Sequence, residues 1–257
     1  MRFIPMLLAL ASLVNAADPA PSPAPKDTRV YELRTYYAAP DKLPALHTRF
    51  RDHTTKLFEK HGITNVGYWT PVENTENKLV YIVSFTSLDA RKQAWKDFGA
   101  DPEWKKVHAE SEKDGKLVTK IDSKIMSATD FSPEIKAAVS NPARVFEMRT
   151  YTTTPGNLPK LHARFRDHTI GLFSKHGMKH FGYWKLDAGQ PEAENTLIYL
   201  LSHDSKEACA QSFKEFRADP VWIAAKAASE KEAGGSLTVE NGVKSELLVP
   251  TDYSPTR

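Results

Sequence analysis

The sequence carries a single cysteine, Cys209. No disulfide can close within the chain, so the fold must be held by an apolar core and not by covalent staples. No apolar run is long enough to span a bilayer. The most apolar stretch, Phe3–Val14, has 12 residues where a spanning helix needs roughly 20. Basic blocks are missing too: the formal net charge is only +3, and Lys and Arg are interspersed with Asp and Glu. That excludes the electrostatic footprint of a nucleic-acid binder. There is no phosphate-cradling glycine loop, no nucleophile elbow and no Cys/His spacing suited to a metal. On this reading the protein takes no metal and no cofactor.

What is present begins at the N-terminus. Met1-Arg2 gives a short positive start, Phe3–Val14 an apolar segment, and Val14-Asn15-Ala16 the small residues a signal peptidase reads. Residues 1–16 are expected to be a signal peptide cut after Ala16, with the mature protein periplasmic or secreted and not held at the membrane. No lipobox cysteine follows. Residues 17–28 are rich in Pro and Ala and read as an extended tether.

The rest of the chain is written twice. Arg49-Phe-Arg-Asp-His-Thr54 returns letter for letter at Arg164–Thr169. Val30-Tyr-Glu-Leu-Arg-Thr-Tyr36 answers Val145-Phe-Glu-Met-Arg-Thr-Tyr151, and Gly67-Tyr-Trp69 answers Gly182-Tyr-Trp184. After a short insertion, Asp101-Pro102 and Trp104 answer Asp219-Pro220 and Trp222, and Thr129-Asp-Phe-Ser-Pro133 answers Thr251-Asp-Tyr-Ser-Pro255. A module of roughly 100 residues used twice is too short a series for a solenoid and suits two domains packed as a pseudo-dimer. The expected domains are 29–131 and 144–255, joined by a linker over 132–143 with one helical turn at Glu134–Val139.

Within the module, Val30–Tyr37 alternates as a strand. Leu43–Lys60 has apolar residues at helical spacing and ends at His61-Gly62, where a left-handed cap wants glycine. Asp41 is placed to cap that helix. Val66–Thr70 and the β-branched run Leu79–Phe85 are strands. Ser87 caps a second helix, which Asp101-Pro102 restarts. Lys116–Met126 is the last strand. The order β-α-β-β-α-β is ferredoxin-like. The fold class is α+β: two such repeats, each covering the other's bare sheet face, forming an intramolecular pseudo-dimeric barrel with helices outside. Burial on both faces accounts for the missing polar alternation in Leu79–Phe85.

These residues resemble the NIPSNAP family. Its marks here are Glu32-Leu-Arg-Thr-Tyr36 and Glu147-Met-Arg-Thr-Tyr151, His61-Gly62 and His176-Gly177, and the two Gly-Tyr-Trp triplets. Asn77 and Asn195 before the long strand, Asp101-Pro-Glu-Trp104 and Asp219-Pro-Val-Trp222 complete them. Copy one departs in having Pro40-Asp41 where copy two has Pro155-Gly156. The resemblance covers both repeats and implies the dimeric α/β-barrel superfamily. That superfamily includes cofactor-free monooxygenases, haem-degrading enzymes and stress-response proteins, so fold-level likeness leaves activity open.

Three roles stay open. The first is binding of a small apolar or aromatic molecule in the barrel without turnover. Its candidate anchors are Glu32, Arg34 and Tyr36 with Glu147, Arg149 and Tyr151, if that strand face looks inward, and Trp69 and Trp184 as apolar lining. The competing view of Glu32–Arg34 and Glu147–Arg149 is a self-satisfied ion pair. The second role is a cofactor-independent oxygenase or isomerase with His53 or His168 as base, since both follow a core Phe by three on the first helix. The third is an interaction scaffold. His61 and His176 read as helix-end caps. Arg49, Arg51 and Asp52 read as an outer ion-pair face in contact with the other half. Cys209 has Gln93 or a neighbour as its counterpart and reads as a buried packing residue. A monomer with an internal pseudo-dimer and a homo-oligomer are both compatible with this sequence.

Overall fold

The computed structural model describes residues 27–257. The expected signal peptide, and the tether up to residue 26, lie outside the described residues. The first half runs β1 (Val30–Ala38), α1 (Leu43–Arg49), a π-helical turn (Phe50–Thr54), α2 (Thr55–Lys60), β2 (Thr64–Pro71), β3 (Lys78–Phe85), α3 (Leu88–Ala100), α4 (Pro102–Ser111) and β4 (Val118–Ala128). The second half repeats it as β5 (Val145–Thr153), α5 (Leu158–Arg164), a π-helical turn (Phe165–Thr169), α6 (Ile170–Lys175), β6 (Lys179–Leu186), β7 (Thr196–His203), α7 (Lys206–Ala218), α8 (Pro220–Ala233) and β8 (Thr238–Pro250).

Local chemistry sets the element boundaries. The Ser87 and Ser205 hydroxyls accept the Ala90 and Ala208 N–H groups and start α3 and α7. Asp101 and Asp219 accept from Glu103 and Val221 and start α4 and α8, each with proline at the first turn. In copy two the same restart divides the helical stretch between Lys206 and Ala233 into α7 and α8. Asp41 is not the cap of α1: the cap position is Lys42, and Asp41 takes the left-handed φ of 59° that Gly156 takes at 77°. Gly62 and Gly177 are likewise left-handed, after α2 and α6.

The eight strands form one closed antiparallel barrel in the order β1-β3-β2-β8-β5-β7-β6-β4. The two halves join by equivalent edges in equivalent register: Trp69 faces Pro250 across β2–β8, and Trp184 faces Ala128 across β6–β4. Closure leaves no sheet edge in the barrel unpaired. The interior is filled by Tyr31, Trp69, Met126, Phe146, Phe181 and Trp184, among others. Each tryptophan folds back over the glycine two residues before it. A Cβ at Gly182 would lie 2.6 Å from the Trp184 ring, and one at Gly67 would overlap the Trp69 ring, so the Gly-Tyr-Trp triplet is a packing unit. The outer strand faces carry two further cores under the helices, around Phe50, Tyr68 and Tyr81 and around Phe165, Tyr183 and Tyr199.

The linker is not helical at Glu134–Val139; it has no regular secondary structure, and Ile135 packs into the barrel interior. The two Thr-Asp-aromatic-Ser-Pro segments cross between halves. Thr251 N–H donates to the Tyr68 carbonyl and Thr129 N–H to the Tyr183 carbonyl. Arg51 forms a bidentate pair with Asp252, and Arg166 pairs with Asp130. The verbatim repeat of Arg51 thus marks contact with the other half, as its identity in both copies suggests.

Candidate functional site

The first-helix repeat Arg-Phe-Arg-Asp-His-Thr is the π-helical turn with the arginine before it. The Thr54 hydroxyl donates to the Arg49 carbonyl and the Thr169 hydroxyl to the Arg164 carbonyl, both at 3.1 Å, across five residues. A π turn widens the helix, and such turns concentrate at functional sites. Here the widening puts Thr54 and Thr169 in the buried slot that an α-helix would give to His53 and His168. Both histidines are therefore exposed, away from the sheet. Arg49, expected on the outer side, and its counterpart Arg164 are buried at 4% and 6% exposure.

Each buried arginine reaches into a cleft between the outer sheet face and the helices. The first cleft, about 500 Å³, is lined by Tyr36, Arg49, Phe50, Thr54, Phe98 and Trp104. The second, about 250 Å³, is lined by their counterparts Tyr151, Arg164, Phe165, Thr169, Phe216 and Trp222. The guanidiniums lie 5.4 Å and 5.2 Å from the Trp104 and Trp222 ring centres. In the first cleft Arg49 has Glu112 at 3.3 Å and the Ser111 hydroxyl at 3.2 Å. In the second the counter-ion is farther, with Glu230 at 4.0 Å and the Ser229 hydroxyl at 3.3 Å. Among the described residues, the Nε of each arginine is buried without a partner. Burial pulls the Arg164 pKa below its ordinary value, and Tyr151 and Glu230 do not make up the difference. An arginine does not deprotonate, so this is a cation short of negative charge.

The proposed anchors on β1 and β5 face the helices, not the barrel interior. The interior residues of those strands are the alternate ones, such as Tyr31 and Leu33. Tyr36, Tyr151 and Arg149 line the clefts. Glu32 is saturated: Arg34 and Ser123 at 2.6 Å on one oxygen, Arg91 and the Trp95 indole N–H at 2.7 Å on the other. Burial would raise its pKa, but Arg91, Ser123 and Arg34 hold it below the ordinary value. Trp69 and Trp184 sit on the opposite face of the sheet, inside the barrel, so the sequence-predicted set is divided between two places. The barrel interior, expected to hold a ligand, is occupied by these side chains.

Glu147 is not saturated like its counterpart. One oxygen takes Arg149 at 2.6 Å and the Ser245 hydroxyl; the other has no hydrogen-bond partner among the described residues, His203 Nε2 standing 3.7 Å away. It faces His203 and Cys209, and one ligand atom from each of the three lies within 4.8 Å of the others. Helix-cap alignment makes Arg91, not Gln93, the counterpart of Cys209. His61 and His176 lie 2.6 Å and 2.9 Å from the carboxylates of Asp101 and Asp219, tying the end of the first helix to the start of the last.

The cleft residues Arg49, Thr54 and Trp104 escape sequence reasoning because nothing marks them as one site. The repeated Ser111-Glu112-Lys113 and Ser229-Glu230-Lys231 are a further signal, since they supply the arginine partners.

Residues 31–133 and 146–255 each match the model of the NIPSNAP family. A NipSnap homolog from Dictyostelium discoideum is 26% identical over 199 residues, covering 76% of this chain and 79% of that protein. Among solved structures, an anthrone oxidase-like protein superposes with a TM-score of 0.57 at 15% identity, over 88% of this chain and 92% of that one. A monooxygenase-like protein from Lactobacillus acidophilus does so with a TM-score of 0.52 at 11% identity, over 87% and 94%. At such identities these two likenesses speak for the barrel fold alone.

Proposed function

The chain belongs to the NIPSNAP family, one family domain in each half, and we propose that each half binds a small aromatic or apolar molecule bearing an anionic or carbonyl oxygen. The seat is the cleft between sheet and helices. One observation carries this reading: Arg164 is buried against Trp222 with an unpartnered Nε and its nearest carboxylate at 4.0 Å. A buried guanidinium lacking a close anion is costly alone and becomes favourable when a ligand supplies one. The aromatic walls supply the apolar contact that fixes a ring. We also read each half as a ferredoxin-like repeat, supported by the strand order β4-β1-β3-β2 in the first half and its equivalent in the second. The N-terminal pattern supports export of the mature chain from Ala17, which an intact mass would test.

The test of binding is native mass spectrometry of the purified protein against a panel of aromatic carboxylates and phenols. Arg49→Met with Arg164→Met should abolish any adduct, while Trp69→Phe, inside the barrel, should keep it. Adducts that persist in the double variant would overturn the reading. Turnover is the second reading: cofactor-independent oxygenation, in line with the anthrone oxidase-like neighbour. It is favoured by His108, a base lining the first cleft where the second has Lys226. Oxygen uptake with a bound phenol, lost in His108→Asn, would support it; no uptake with any ligand that binds would reject it.

A further inference from the structure

We propose that Glu147, His203 and Cys209 form a site for one borderline-soft divalent cation of the zinc type, present in the second half only. The three come from β5, β7 and α7, so no local sequence spacing announces them. They are among the most buried polar or thiol groups of the chain, at 3%, 2% and 5% exposure. Among the described residues, Glu147 Oε2 and both ring nitrogens of His203 have no hydrogen-bond partner. Orphaned polar atoms on a buried imidazole and a buried carboxylate, 3.7 Å apart, are suited to a shared partner.

The distances suit one. Zinc bonds of about 2.0–2.3 Å at a tetrahedral angle put neighbouring ligand atoms roughly 3.3–3.7 Å apart. His203 Nε2 is 3.7 Å from Glu147 Oε2, too far for a hydrogen bond and close to that separation. All three ligand atoms lie within 4.8 Å, so a shift of about an ångström or less would close the set. Nitrogen, thiolate and carboxylate oxygen together favour zinc over calcium or magnesium.

The first half acts as an internal control. There the equivalents of Glu147, His203 and Cys209 are Glu32, Phe85 and Arg91, and Trp95 stands where the second half has Phe213. Glu32 faces two guanidiniums, Arg34 and Arg91. Glu147 keeps only Arg149. Losing Arg91 removes one positive charge, and losing the Trp95 indole removes one donor. A divalent cation that displaces the Cys209 proton adds one net positive charge, restoring the balance of the first half. Three protein ligands also leave a fourth position open, as in zinc sites that take water or substrate.

The groups facing the site are Glu147 and Arg149 from β5, His203 from β7, Ser245 from β8 and Cys209 with Phe213 from α7. Cys209 binds a cation only as its thiolate, so binding must release a proton.

The experiment is anaerobic titration of the purified, chelator-stripped full chain with Co²⁺, followed by displacement with Zn²⁺. The expected result is one equivalent bound, a near-ultraviolet thiolate-to-cobalt band, and loss of that band on adding zinc. Cys209→Ser removes the band, and His203→Phe, which installs the first half's own residue, weakens binding at least about a hundredfold. Cys209→Arg, which also takes its residue from the first half, guards against misfolding as the cause and should bind nothing at this site. Absence of the band with the native chain, or binding equally tight in His203→Phe and Cys209→Ser, would overturn the proposal.

Discussion

Arg164 and Glu32 are both charged and buried, yet their removal should have opposite consequences. Glu32 holds Arg34, Arg91, Trp95 and Ser123 at once. Glu32→Ala would strand two guanidiniums under α3 and should cost about 3–5 kcal/mol, the usual loss when one partner of a buried pair is removed. Arg164 has no comparable partner set, since Glu230 stands 4.0 Å away and Nε is bare. Arg164→Met keeps the apolar stem against Trp222 and removes an under-compensated buried charge, so it should leave stability unchanged or raise it by about 1 kcal/mol or more. Urea midpoints of the two variants at equal slope decide this. A large loss in Arg164→Met would mean that the arginine is structural and would count against the ligand reading. Strand alternation tells which of these residues share a face, and it groups Glu32, Arg34 and Tyr36 correctly. It cannot tell which face meets the barrel interior, because both faces of a barrel strand under helices are apolar, as Leu79–Phe85 shows.

At the scale of elements, the first helix is where sequence reasoning and structure part most clearly. A uniform helical period places His53 beside Phe50 and Leu57. The π turn over Phe50–Thr54 takes one residue more per turn, so Thr54 occupies that slot and His53 turns to solvent. A π turn has no strong sequence signature, and the only hint is the verbatim repeat itself. Helix ends are far more legible, since Ser87, Asp101-Pro102 and Gly62 each act through local backbone chemistry. One of these ends makes a pH-dependent tie. Lys60 at 2.8 Å and His61 at 2.6 Å hold the Asp101 carboxylate, and Lys175 and His176 hold Asp219 in the same way. Hydrogen bonds from the lysines, then the histidines, keep both carboxyls well below their ordinary 3.8. A depressed folded-state pKa contributes stability that is present above the unfolded value and lost as the pH falls below it. Asp101→Asn with Asp219→Asn, which keep a capping side chain, should therefore flatten the fall in Tm between about pH 5 and pH 2. Thermal scans at stepped pH check this, and parallel curves for variant and parent would show that the tie does not contribute.

At the scale of the whole molecule, the barrel is two open sheets that close each other. Each half alone would expose β2 and β4, or β6 and β8, as unpaired edges, with the bare sheet face carrying Tyr31, Trp69 and Met126 or their counterparts. Edges of that kind pair with whatever strand fits them. What fits is already specified: Trp69 opposite Pro250 and Trp184 opposite Ala128 are the same register at the two junctions. The crossed segments repeat the symmetry, with Tyr253 stacking on Phe50 and Phe131 on Phe165. A chain of residues 27–133 carries one complete copy of every element that the junctions use. It should therefore assemble as a homodimer, with β2 of one chain on β4 of the other and each Thr129–Pro133 segment lying on its partner's first helix. Sedimentation equilibrium should give twice the chain mass at micromolar concentration, and Trp69→Lys, placing a charge inside the closed barrel, should abolish both dimer and fold. A folded, monodisperse monomer would mean that the second half covers the first without completing it, and the tandem architecture would then need another explanation.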